Sequence, residues 1–114
     1  MDVDVLKSQL KPLDLAREPE PTAVDVEYFK HYGIDFENEI TDVKHYHGTI
    51  AAGDNRIACH FYKKGSAEQT CFVVHGYTDH SALFGNVIRY FLNRGCNVIA
   101  FDLPGHGLSE GDQA

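Results

Sequence analysis

Four short strand-like runs and two helical stripes organise the apolar residues of this chain. Two of the runs are almost wholly apolar: Gln69-Thr70-Cys71-Phe72-Val73-Val74 and Cys96-Asn97-Val98-Ile99-Ala100-Phe101. Short β-branched runs without polar alternation predict parallel strands covered on both faces. Between them Leu83, Phe84, Val87, Ile88, Phe91 and Leu92 recur at helical spacing and predict one apolar stripe. Gly95 follows as the helix stop. The three elements form a βαβ unit whose crossover is expected to be right-handed. Upstream, residues 43–50 and 56–62 read as two strands joined by the turn cluster Ala51-Ala52-Gly53-Asp54-Asn55, an antiparallel hairpin. Residues 63–68 are a polar loop into the first parallel strand.

The chain before residue 43 is a different kind of sequence. Residues 1–20 mix charge, proline and the scattered Leu6, Leu10, Leu13 and Leu15, a pattern equally compatible with a short helix or a packing arm. Thr22 followed by Asp25 forms a capping-box signature, and the helix it starts runs to about Tyr32, where Gly33 ends it. This helix is expected to cover one edge of the sheet. The pattern divides the chain into an N-terminal extension, 1–42, and a partial α/β domain, 43–114.

At 114 residues there is length for one small domain. A net charge of −7 and a pI near 5.3 argue against nucleic acid or an anionic membrane surface as partner. Cys59, Cys71 and Cys96 are odd in number and lack CxxC spacing, which reads as buried, reduced thiols in a cytoplasmic protein. The start, Met1-Asp2-Val3-Asp4-Val5, is acidic and unlike a signal peptide, and no apolar run approaches the ~20 residues of a membrane span.

Two motifs carry a resemblance. His75-Gly76-Tyr77 follows a strand, and Asp102-Leu103-Pro104-Gly105-His106-Gly107-Leu108-Ser109 follows the next strand one crossover later. In this order and on these elements, they resemble the α/β-hydrolase superfamily, in particular its lysophospholipase, monoacylglycerol-lipase and serine-aminopeptidase branch. The resemblance spans residues 43–114. It implies the N-terminal part of a hydrolase sheet, hairpin first and βαβ unit second, truncated before the nucleophile elbow. It also implies a Ser-His-acid mechanism on carboxylic esters of small, lipid-like substrates, without metal or organic cofactor.

Acyl transfer needs a nucleophile, a base, an orienting acid and donors for the oxyanion. By position, the resemblance makes the Tyr77 backbone N–H one oxyanion donor, with His75 and Gly76 shaping the turn. His75 would be structural, since the family's base comes near its C-terminus. Gly107-Leu108-Ser109-Glu110-Gly111 fits GxSxG, but six loop residues separate Ser109 from its strand, whereas an elbow joins strand directly to helix. Only Asp112, Gln113 and Ala114 follow, too few for that helix, so Ser109 reads as a decoy. Gly105-His106-Gly107 is a fragment of GxGxxG with Glu110 in place of the last glycine, and it opens no helix from a strand.

His45 and His47 alternate on a strand and share a face, with His60 available from the partner strand. They read first as half-exposed strand histidines, and second as a metal-binding hairpin that lacks any complete zinc spacing. Asp79 reads as the cap of the following helix, with His80 beside it. Because no elbow, late acid or late histidine occurs before Ala114, the isolated piece is expected to be inert. Its first parallel strand would be an open edge, prone to self-association. Two alternatives follow: a non-catalytic module that pairs through that edge, and a hydrolase of the serine-aminopeptidase kind.

Overall fold

A computed structural model describes residues 2–77 and 79–111. Residues 112–114, the stretch too short for a helix behind Ser109, lie outside it. The hairpin consists of β1 (Val43–Ala52) and β2 (Asn55–Lys64), paired antiparallel from Val43↔Lys64 to Ala52↔Asn55. The ladder runs closer to the turn than the pattern predicts, because Gly53 and Asp54 alone make the bend. Gly53 has a φ of +61°, which a glycine in the first loop position of a two-residue hairpin adopts without strain.

β3 (Thr70–Val74) and β4 (Asn97–Phe101) pair in parallel, while β4 pairs antiparallel with β2. The resulting order, β1-β2-β4-β3, leaves β3 at one edge. The expectation that β3 is covered on both faces is therefore wrong. Val73 is buried, but Phe72 and Val74 on the opposite face are 70% and 54% exposed.

The crossover begins as a 3-10 turn, Ser81–Phe84, before α3 (Gly85–Asn93). That turn displaces the predicted stripe, since 3-10 winding advances three residues per turn. Leu83 and Val87 are exposed; Ile88 and Leu92 are buried, with Phe84 and Phe91 packed against the core. Gly95 closes α3 at φ +80°: its N–H donates to the Leu92 carbonyl, and Cys96 N–H to that of Phe91, a Schellman ending.

The N-terminal segment shares this core. α1 (Val3–Gln9), capped by Asp2, buries Leu6. Residues 11–13 then lie along β1, with Leu13 N–H donating to the Thr49 carbonyl and Thr49 N–H to that of Lys11. The approach requires Gly48, where a Cβ would stand 2.7 Å from the Lys11 carbonyl oxygen. α2 (Ala23–Tyr32) carries the full capping box between Thr22 and Asp25. It packs on the face of the hairpin, not its edge, with Tyr28 and Phe29 against the rings of β1 and β2. The arm, not the helix, takes the edge. Tyr62, fully buried, donates to the Ile34 carbonyl and fastens the end of this segment to β2. Thr22→Ala, which removes the cap acceptor, is expected to lower stability by about 1 kcal/mol in a denaturant melt.

Candidate functional site

β3 delivers its chain at the C-terminal end of a parallel strand into the turn His75-Gly76-Tyr77. His75 is buried and both ring nitrogens are engaged. Leu103 N–H donates to Nε2 at 2.8 Å, so that nitrogen carries a lone pair. The proton therefore sits on Nδ1, which lies 2.7 Å from the Gly76 carbonyl oxygen and donates to it. A ring so committed is unsuited to general-base work and fixes the turn instead. Tyr77 is largely exposed, with its ring edge-on to His106, whose own ring lies tilted against His75.

The loop after β4 is built around a buried carboxylate. Asp102 Oδ1 accepts from Ser81 N–H at 2.8 Å and Ser81 Oγ–H at 2.7 Å, while Oδ2 accepts from Leu108 N–H at 2.9 Å. The expected capping role of Asp79 thus falls to Asp102. His80 occupies the cap position of the 3-10 turn without a side-chain cap bond, and Ser81 N–H donates instead to Asp102 in the loop after β4. Gly107, at φ +51°, passes so close that a Cβ would lie 2.4 Å from Asp102 Oδ2. Ser109 is buried; its hydroxyl accepts from Ala58 N–H at 2.8 Å and donates to the Asp102 carbonyl. It is a buried strut between β2 and the loop. Glu110 completes the tether by taking both Nε–H and Nη2–H of Arg56, plus the Arg56 backbone N–H.

A second polar cluster lies under α2, where the histidines are buried, not half-exposed. Burial follows from α2 packing on that face. His45 Nδ1 is 2.9 Å from Glu37 Oε1, and His45 Nε2 is 2.8 Å from His60 Nδ1. His47 Nδ1 is 2.9 Å from Asp25 Oδ1, and its ring stacks on His60 at 4.2 Å. A carboxylate can only accept, so each histidine carries its proton on Nδ1 and the order runs His60 to His45 to Glu37. Burial holds the pKa of His45 below the ordinary imidazole value although Glu37 opposes the shift. Burial and the neighbouring imidazoles push that of His60 well below it. Burial tends to raise the Asp25 pKa, but the His47 and Thr22 hydrogen bonds prevail and it lies below the usual carboxylate value. His45 has both ring nitrogens committed to hydrogen bonds, and His47 and His60 keep only the buried Nε2 without a partner among the described residues. No group of three or more His, Cys, Asp or Glu among the described residues is arranged to hold a metal.

Cys59, Cys71 and Cys96 are free, but only Cys59 is buried, and burial lifts its thiol to about 11. Two hollows, of about 390 and 850 Å³, flank the hairpin away from residues 75–77. Among the described residues no helix is long and apolar enough to cross a membrane.

Comparison with known proteins bears on the turn and the loop directly. Residues 65–114 match the family model described as serine aminopeptidase, S33, a stretch that contains both motifs. The structure superposes on an esterase of Pyrococcus furiosus in two crystal forms. One gives a TM-score of 0.55 at 22% identity over 75% of this chain and 32% of the esterase. The other gives 0.54 at 20% over 90% and 34%. Acetyl xylan esterase 1 from a Thermoanaerobacterium species gives 0.54 at 18% over 98% and 38%. The chain carries the N-terminal portion of the α/β-hydrolase fold. It spans about a third of the length of these α/β-hydrolase structures. No curated protein gives a significant match.

Within the α/β-hydrolase portion, the structure brings His75, Gly76 and Tyr77 together with the Asp102 loop, and Ser109 ties that loop to β2. Two partners escaped the sequence reading: Ser81, and the Arg56–Glu110 tether. The Asp102 motif was the available signal, because a buried acid followed by two closely spaced glycines marks backbone crowding around a carboxylate.

Proposed function

We propose that this chain is the N-terminal portion of a serine hydrolase that cleaves carboxylic esters of small, lipid-like substrates, of the lysophospholipase or monoacylglycerol-lipase type. The observation that carries the reading is the His75-Gly76-Tyr77 turn at the end of β3, bonded to the following loop through Leu103 N–H. The Tyr77 backbone N–H serves as one oxyanion donor; His75 and Gly76 shape the turn and take no proton from substrate. Nucleophile, base and acid come from further sequence, and the isolated chain is inactive. Three free cysteines fit a cytoplasmic enzyme.

The test is a substrate panel on the full-length product: short p-nitrophenyl esters, a monoacylglycerol, a lysophospholipid and an aminoacyl-p-nitroanilide. Turnover of the lipid esters above the anilide is the expected result. The reverse order replaces the ester reading with an aminopeptidase, which shares the mechanism.

One observation favours a second reading. β3 is an edge strand, with Phe72 and Val74 exposed, and such an edge can pair with a strand from another chain. In that reading the 114-residue chain is a non-catalytic interaction module. Sedimentation of the purified chain and of the native 114-residue product distinguishes them: a stable homo- or hetero-oligomer supports the module, and a monomer in both removes it.

A further inference from the structure

We propose that Asp102 is a positioning residue for the oxyanion turn, acting through Ser81; the proposal rests on the hydrolase reading above. Residues 75–81 contain the candidate donor Tyr77, and both ends of this segment are tied to two consecutive residues at the end of β4. At the front, Leu103 N–H donates to His75 Nε2 at 2.8 Å. At the back, Asp102 Oδ1 accepts both donors of Ser81, at 2.8 and 2.7 Å. The turn is thus strung between adjacent points on the sheet, and only five residues lie between the ties.

Chemistry explains why an acid stands at this position. Three donors converge on one side chain that is 1% exposed: Ser81 N–H, Ser81 Oγ–H and Leu108 N–H. A carboxylate is acceptor-only and offers about four lone-pair sites, so all three are satisfied. Charge-assisted bonds of this kind are stronger than neutral ones, and a buried set is costly to break. Asparagine matches the shape but turns one acceptor into a donor, so it meets either the Ser81 pair or Leu108 N–H head-on. The crowding at Gly107 is part of the same device. A Cβ there would fall 2.4 Å from Asp102 Oδ2 and 2.9 Å from His80 Cβ, so a larger residue would push the carboxylate and the start of the 3-10 turn apart.

Displacing a catalytic donor by about an ångström can lower a rate on the order of 100-fold. The clamp is tested in the full-length product with Asp102→Asn, and rates are referred to active sites titrated with a fluorophosphonate. The expected result is a kcat about 10- to 50-fold lower with KM within about two-fold. The Ki of a boronic acid, which forms a tetrahedral adduct, should rise in parallel with the loss in kcat. A merely structural role would lower the melting temperature or the titrated fraction and leave kcat per site and Ki unchanged; that result overturns the proposal.

Amide hydrogen exchange supplies a readout independent of activity. Residues 76–80 are expected to exchange at least about ten-fold faster in the variant, with β1–β2 amides unchanged. Unchanged exchange at residues 76–80 overturns the clamp. If the wild-type product neither titrates nor hydrolyses esters, the hydrolase reading falls and exchange alone decides whether Asp102 holds the turn. Should Asp102→Asn fail to fold, Ser81→Pro removes both Ser81 donors at the first helical position, where proline is tolerated and the extended backbone of His80 suits it. The same kcat and exchange changes are expected of it, and their absence overturns the proposal.

Discussion

On the proposed hydrolase reading, Tyr77→Pro in the full-length product is expected to lower kcat by about 10²–10³-fold, whereas Tyr77→Phe stays within a few-fold of wild type. The contrast follows from which atom of residue 77 is asked to act. A proline ring removes the backbone N–H, the donor proposed to stabilise charge on a tetrahedral oxyanion. Phenylalanine keeps that N–H and deletes only the hydroxyl of a ring that is 66% exposed. KM should change little in either variant, because the ground-state carbonyl gains less from the donor than the oxyanion does. A melt on each variant separates lost activity from lost fold. Equal losses in the two variants would transfer the role from the backbone to the side chain. An active Tyr77→Pro would remove the oxyanion assignment altogether.

Acidification should loosen the packing of α2 on the hairpin. His45 and His60 are buried and titrate below the ordinary imidazole value of 6.5, the first through burial against the pull of Glu37, the second through burial and neighbouring imidazoles. A histidine with a depressed folded-state pKa binds a proton in the unfolded chain before it does in the native one. Stability is therefore full above about pH 7.5 and declines as pH falls below 6.5, by up to about 1.4 kcal/mol per pH unit for each histidine. Protonation would also place an N–H at His60 Nε2, a buried atom with no partner among the described residues. Asp25 works in a lower window: its depressed pKa means its contribution is lost only as pH drops below about 3.8. The urea midpoint of the full-length product should fall between pH 7.5 and 5, and His60→Leu should reduce that dependence by about half. A midpoint that is flat or rises on acidification would contradict the buried, neutral assignment.

The elements whose signals are local were legible in the chain itself. Apolar runs marked β3 and β4, the Thr22–Asp25 pair marked the start of α2, and Gly33 and Gly95 marked two helix ends, each because backbone chemistry at that position restricts the residue. The hairpin was legible for the same reason, since Gly53 supplies the positive φ that its two-residue turn needs. Features set by tertiary packing were not. Whether Leu83 faces core or solvent depends on a 3-10 first turn that leaves no mark on the periodicity. The three histidines look like polar surface positions in an alternating strand until Tyr28 and Phe29 are laid over them. Residues 11–13 carry no strand signal, and their place along β1 is dictated by Gly48, a residue 35 positions away from Leu13.

At the site the same division holds. His75-Gly76-Tyr77 was readable from its place after a strand, and the mismatch of Ser109 with an elbow was readable from spacing; its buried, doubly bonded hydroxyl gives the physical reason. Asp102 could be seen as a motif residue but not as a clamp, because its partner Ser81 lies across the crossover, where only folding brings the two together.

The central claim is that these residues form the oxyanion side of a serine hydrolase, and fluorophosphonate labelling of the source cell's own product tests it most directly. The account predicts a labelled band well above 12.8 kDa that contains peptides of this sequence. A product of 12.8 kDa that takes no label would contradict it.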